Sequence, residues 1–306
     1  YTGSSDKTVR KIDPFGNLIW TFNDPSYIYD VAVDSSGNVY SASGDETVRK
    51  IDSSGNLVWT FDSDANGNPN GHTSRIFNIA VDSNDNVYTA SADKTVRKIN
   101  SSGNHVWTFD SNANGNPNGH TDDVIGVAVD SNGNVYSIGS YYDDTLKKID
   151  TNGNHVWTVD FIDPDTGNTT ALADVAVDSN DNVYIGSTDK AVRKIDSSGN
   201  LVWTFDGNGN DNSNGHTDTV TTVFVDSNDI VYSYSLSSMI KIDSSGNYVS
   251  TFTLSKFFGI DIDSSGFIYV ESNDLVKKID PSGNEITFGW PVDVHTKAVT
   301  AIAVIE

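Results

Sequence analysis

Four histidines, His72, His120, His216 and His295, share one position of a repeating sequence, each seven residues before the apolar start of a strand-like run. Three aspartates, Asp93, Asp143 and Asp6, stand in equivalent short polar segments of the same repeat. Imidazole beside carboxylate is the raw material of acid–base catalysis, of a nucleophile triad or of a metal site. A triad also needs a nucleophile, and a zinc site a cluster of Cys or His ligands; neither accompanies these positions. Pairs recurring through a repeat array cannot all form one active centre, so a structural role is expected and no catalytic or metal residue is assigned.

Other side chains suggest other chemistry. Segments such as Asp34-Ser35-Ser36-Gly37-Asn38 and Asp52-Ser53-Ser54-Gly55-Asn56 crowd oxygen ligands into a bend, as calcium loops do. They lack the alternate acidic positions and closing Glu of an EF-hand loop, so hairpin turns are expected, with weak Ca2+ binding the lesser alternative and no other cofactor. Of 19 basic residues, 13 form a ladder along the third strand-like run of each repeat, in pairs such as Arg49-Lys50, Arg97-Lys98 and Arg193-Lys194, with Lys241 alone in its repeat. These are expected to lay their stems on neighbouring strands and pair with Asp rather than form an anion site. Three long polar connections contain Asn68, Asn116 and Asn210; near them lie Tyr141, Tyr142 and Phe161. Exposed aromatics beside amides suit a protein or glycan partner, and these six residues are the candidate binding face.

The elements that position these residues come from a repeat. Residues 48–62 return letter for letter at 192–206, and the openings Val31, Ile79, Val127, Val175 and Val223 are spaced by 48 residues, with Ile260 and Ile302 opening two shorter units. That unit has the size of one propeller blade. Each unit holds four alternating runs bounded by Gly, Asn, Asp or Ser, termed a to d; in one they are Phe77 to Asp82, Val87 to Ser91, Thr95 to Asn100 and His105 to Asp110. The Asp-rich bends between a and b and between c and d predict hairpins, with Asp accepting backbone N–H groups and Gly or Asn taking the positive φ.

Such meanders bury both faces only by stacking on one another. Strand b carries Tyr in all seven units (Tyr1, Tyr40, Tyr88, Tyr136, Tyr184, Tyr232 and Tyr269), and strand d carries Trp20, Trp59, Trp107, Trp157 and Trp203. Both sets are expected between blades, each polar tip on a backbone partner. The start, Tyr1 to Thr8, aligns with Tyr184 to Ala191 and therefore begins on strand b, while Thr300 to Val304 is a strand a with no b after it. The prediction is an all-β, seven-bladed β-propeller with four antiparallel strands per blade, its first blade closed by the C-terminal strand. Residues 1–306 are taken as one domain; a start at Tyr1 without Met suggests a processed chain or a piece of a longer one.

Bulk properties narrow the partners. A net charge of -23 and a pI near 4.3 oppose nucleic acid and anionic lipid, and no apolar run approaches the roughly 18 residues of a membrane span. The absence of cysteine removes disulfides.

Gly71-His72-Thr73, Ser91, Asp93 and Thr95-Val96-Arg97-Lys98-Ile99 together resemble a WD-repeat blade, although Ile99 stands where that family places Trp. Val-Asp-Ser-Ser-Gly-Asn-Val-Tyr is similar to bacterial repeats of the NHL and SBBP kinds, and Gly-Asn-Leu-Val-Trp-Thr-Phe to quinoprotein-type blades. The WD likeness implies that each His donates to the Asp of its own blade: His72 to Asp93, His120 to Asp143 and His295 to Asp6. These families include interaction platforms, ligand-binding rings and a few enzymes. The expectation is a non-catalytic interaction or structural platform, extracellular or on a cell-surface or virion assembly. The alternatives are a lectin-like glycan binder and, behind it, an enzyme with an axial site. Strand a, Val-Ala-Val in most units, predicts an inert axis.

Overall fold

The computed structural model describes residues 1–62, 70–110, 118–161, 170–206, 214–236, 238–253, 259–263, 265–272, 275–286 and 299–304. Among them there is no helix, and the strands form seven four-stranded antiparallel sheets, the blades of a seven-bladed β-propeller. Blade 2 shows the pattern: a is Ile28–Val33, b is Val39–Ser43, c is Val48–Ile51 and d is Leu57–Phe61. Blades 3 to 7 follow at 76–109, 124–160, 172–205, 220–253 and 260–286.

Blade 1 joins the two ends of the chain. Its strands b, c and d are Thr2–Ser4, Thr8–Ile12 and Leu18–Asn23, and its strand a is Val299–Ile302. Thr2 faces Ile302 and Gly3 faces Ala301; Tyr1 N donates to Ala303 O at 2.7 Å and Ala303 N returns to Tyr1 O at 2.9 Å. Closure by the C-terminal strand is as expected.

Contacts group the chain into two compact units, one of residues 1–93, 97–106 and 257–306, the other of residues 94–96 and 107–256. In the first, Tyr40, Val48 and Phe61 of blade 2 pack on Ile76, Ile79, Val87 and Ile99 of blade 3. In the second, Tyr184, Val192 and Phe205 of blade 5 pack on Val220, Val223, Val231 and Ile242 of blade 6. The strand-b tyrosines 40, 88, 136, 184 and 232 are fully buried, each burial worth roughly 2–3 kcal/mol.

The turn chemistry repeats without much change. In blade 2, Asp34 Oδ1 accepts the Ser36 and Asn38 N–H groups at 3.0 and 2.8 Å, and Oδ2 accepts Asn38 Nδ2 at 2.8 Å and the Tyr40 hydroxyl at 3.0 Å. The repeated strand-b tyrosine therefore bonds a carboxylate six residues back, not the expected backbone group, whereas Tyr1 takes a carbonyl, Gly37 O at 2.7 Å. Tryptophan does find backbone. Trp20 Nε1 donates to Ser53 O at 3.1 Å and Trp59 Nε1 to Ser101 O at 3.2 Å, each in the c–d turn of the next blade. Gly55 and Gly103, at φ +91° and +84°, lie under those indoles, where a Cβ would come within 3.0 and 2.8 Å of the ring.

Some a–b turns have Asp at the positive-φ position: Asp85, Asp181 and Asp229. Glycine is easier there, but a side chain adds a contact. Asp181 accepts Ser131 N at 3.0 Å and Asn132 Nδ2 at 2.6 Å; Asp229 accepts Ser179 N at 3.2 Å and Asn180 Nδ2 at 2.7 Å. Asp181 and Asp229 thereby grip the turn of the preceding blade.

Candidate functional site

His72, His120 and His216 sit in the loop before strand a, where each reaches strand b or the b–c hairpin. His72 Nδ1 lies 2.9 Å from Asp93 Oδ2, and its Nε2 lies 2.7 Å from Thr89 Oγ1. With the Nδ1 proton directed at Asp93, Thr89 donates to Nε2; Arg97 Nη1 also meets Nδ1. Asp93 also accepts Thr73 N at 3.1 Å and Arg97 Nη1 at 2.6 Å, which ties loop, hairpin and strand c together. His120 repeats this: Nδ1 is 3.2 Å from Asp143 Oδ2 and Nε2 is 2.8 Å from Ser137 Oγ. Two of the three pairs implied by the WD resemblance are thus brought together.

His72 and His120 have no solvent exposure. Burial pushes the His72 imidazole down to about 4 and lowers His120 as well, so both are neutral at pH 7. Burial acts to raise Asp143, but bonds from His120, Thr145 and Thr121 outweigh it and hold its pKa well below the usual range. Sealed, neutral imidazoles can hold a loop; they offer no access to a substrate.

The remaining positions differ. His216 has no Asp: Nδ1 faces Ser235 Oγ at 2.9 Å and Nε2 faces Ser233 Oγ at 2.8 Å. His295 lies outside the described residues, and Asp6 holds Arg10 at 3.3 Å. Blade 2 has Asp24 at the histidine position. It bonds Arg49 Nη1 at 2.9 Å and Ser43 Oγ at 3.1 Å, with Arg49 Nη2 reaching Asp45 at 2.7 Å. Burial raises Asp24 against the Ser26 N–H and the guanidinium. The sequence contains the signal for this residue, since Asp24 precedes Val31 by the same seven positions as His72 precedes Ile79.

The basic ladder is consumed internally. Its second members lie on the strand-b tyrosines, with Lys50 Nζ 4.9 Å from the Tyr40 centroid and 3.4 Å from Asp34 Oδ2. Lys148 and Lys194 repeat this over Tyr136 and Tyr184, each at 5.0 Å. The turn carboxylates thus hold several donors each, and among the described residues no three His, Cys, Asp or Glu side chains are placed to share a metal ion.

On the rim, Tyr141 and Tyr142 are exposed as expected. Phe161 is not. It is 7% exposed and packs with Ile138, Leu146 and Leu172, the Arg193 guanidinium 5.8 Å from its ring centre. The reason is strand alternation: Trp157, Val159 and Phe161 all point inward at period 2. Asn68, Asn116 and Asn210 lie outside the described residues.

Strand a is less bland than Val-Ala-Val suggests. Asp30 accepts Val31 N at 2.9 Å and, from blade 3, Ile79 N at 3.0 Å and Asn78 Nδ2 at 2.7 Å. Asp174 accepts Val175 N and, from blade 6, Val223 N, both at 2.9 Å; Asp261 accepts Ile262 N and Val304 N, both at 2.8 Å. Burial pushes Asp174 up to about 7 and Asp261 up to about 6 despite these donors. They act as rungs between neighbouring a strands.

No protein among the curated ones matches the chain. A family model described as outer membrane protein assembly factor BamB matches residues 5–117 and residues 44–287. The second match alone covers most of the 306 residues and all or part of blades 2 to 7, in line with the bacterial propeller repeat expected from the blade motifs. The chain therefore belongs to the family of the outer membrane protein assembly factor BamB.

Proposed function

We propose that this chain is a non-catalytic platform on which protein partners assemble, outside the cell or on a surface or virion assembly. One observation supports it above the others. Among the described residues strand d ends each sheet with one edge free of strand pairing, and in blades 1 to 6 it exposes an apolar residue at the same place. Ile19, Val58, Val106, Val156, Val202 and Val249 are 47–55% exposed. Unpaired edges with apolar side chains invite an added strand or an apolar partner face, and soluble chains usually blunt them with charge. The family description, an assembly factor for outer membrane proteins, is that of a protein acting on other proteins and supports the same reading. The location rests on the acidic, cysteine-free composition.

Photo-crosslinking tests this. A benzophenone side chain in place of Val58 or Val202 is expected to capture a discrete protein partner from the native assembly, while one in place of Ser54, on the turn rim, captures none. Equal capture at Ser54, or none at any position, would overturn the reading.

A further inference from the structure

Blade 4 breaks the repeat. Where blade 3 has Ser91-Ala92-Asp93, blade 4 has Gly139-Ser140-Tyr141-Tyr142-Asp143, two residues longer. The insertion is held firmly. Asp143 N and Asp144 N both donate to Ser140 O at 2.8 and 3.0 Å, Ser140 N donates to Asp123 O at 2.8 Å, and Ser140 Oγ donates to Asp122 Oδ2 at 2.6 Å. On this base the two rings stand in water, Tyr141 68% and Tyr142 83% exposed, their centroids 5.3 Å apart and their planes at 88°. A rigid turn that keeps two large rings in solvent has the form of a contact anchor: aromatic area presented with little ordering left to do on binding.

The rest of the molecule indicates what such rings take. Lys50, Lys148, Lys194 and Lys241 each hold an ammonium 4.9–5.1 Å from the centre of a strand-b tyrosine. Among the described residues no cation of the chain lies over Tyr141 or Tyr142. Two ring faces meeting at a right angle bound a corner that a compact cation enters against both quadrupoles. The net charge of -23 draws basic segments toward that corner, whereas a neutral sugar gains nothing from the field and prefers one flat ring. We propose that Tyr141 and Tyr142 anchor a Lys or Arg side chain of a protein partner. This deepens the platform reading and rests on it.

The probe is the peptide acetyl-Lys-Gly-Lys-Gly-Lys-amide at 150 mM salt, titrated into protein carrying 13C-labelled tyrosine and followed by NMR and calorimetry. Wild type is expected to saturate, with ring shifts confined to Tyr141 and Tyr142. Tyr141→Phe with Tyr142→Phe should hold the affinity within about twofold, and Tyr141→Leu with Tyr142→Leu, which keeps apolar area but removes the quadrupoles, should weaken it about tenfold. Both pairs lie in solvent, so the melting temperature should not move. Unchanged affinity in the leucine pair overturns the inference. So does a ring shift with the neutral oligosaccharide chitohexaose and none with the peptide, which assigns the corner to glycan. If the peptide fails while Val58 and Val202 still capture a partner, this anchor is wrong and the platform stands. If the leucine pair abolishes peptide binding while strand d captures nothing, the anchor stands and the edge-strand platform falls.

Discussion

Blades 3 and 6 fill one position with the same imidazole and surround it in opposite ways. His72 has Asp93 on one nitrogen, and Arg97 completes an ionic cluster whose side chains are all nearly buried. His216 has Ser235 and Ser233, and the residue at the arginine position is Ile240. Acid and base are lost together, which leaves no buried charge without a partner. What stays constant is a flat, two-sided hydrogen-bonding group between the loop before strand a and the b–c hairpin. The comparison separates the fixed part of the site, imidazole as spacer, from the exchangeable part, its charged escort. An ionic cluster in this setting is replaceable as a set and costly to break singly.

The largest expected effect comes from breaking the set. Asp93→Ala leaves Arg97 and His72 facing an empty acceptor position and is expected to cost about 3–5 kcal/mol, read as a loss of thermal midpoint. Asp93→Ala with Arg97→Ile brings blade 3 to the neutral set of blade 6, since Ser91 and Thr89 already stand where Ser235 and Ser233 do, and should recover more than half of that loss. A double variant no more stable than Asp93→Ala would show that blade 6 tolerates its neutral set for reasons outside these residues.

Acid should act on both blades alike. Burial is the leading cause of the low His72 and His216 values, both about 4 against an ordinary 6.5. A depressed imidazole takes up its proton in the unfolded chain first, so stability is intact above pH 6.5 and declines as pH falls toward 4. At pH 4 the loss amounts to about 3 kcal/mol for each imidazole. NMR titration should find both rings neutral until about pH 4, and the blade 3 double variant should keep the same acid slope. A His72 that protonates above 6.5 would mean that Asp93, not burial, sets its charge.

Much of this was legible in the sequence, and the failures are local. Asp-x-x-Gly-Asn turns and period-2 runs specify hairpins by backbone chemistry alone, and Tyr1 to Thr8 aligned on Tyr184 to Ala191 specifies closure. His72–Asp93 and His120–Asp143 came from a blade resemblance; spacing showed only that the residues recur. Phe161 reads as a loop residue because a polar connection follows it, yet it directly follows the strand His155–Asp160 and continues the inward alternation that buries it. The tyrosine hydroxyls were matched to the backbone because their true partner belongs to a turn that already accounted for its aspartate. Asp24 is marked by its position and not by its residue type, an aspartate standing where other blades place histidine. The strand-a aspartates were hidden by the apolar triplet beside them, and their acceptor role depends on a neighbouring blade.

A smaller effect of opposite sign sharpens the same comparison. Asp174 is raised from 3.8 to about 7, chiefly by burial. A raised carboxyl contributes stability that is complete below pH 3.8 and is lost as pH climbs through 7, so between pH 4 and 6.5 it opposes the two imidazoles. Asp174→Asn removes that opposing slope and also costs one rung to Val223 or Val175, about 1 kcal/mol, because an amide offers a single acceptor oxygen. The variant should melt slightly lower at pH 4 and approach or exceed wild type at pH 8, with a steeper rise of midpoint between pH 4 and 6.5. Parallel curves for variant and wild type across that range would place the Asp174 pKa near its ordinary value. The two backbone donors, and not burial, would then govern the strand-a rungs, just as paired donors govern Asp143 but do not govern His72.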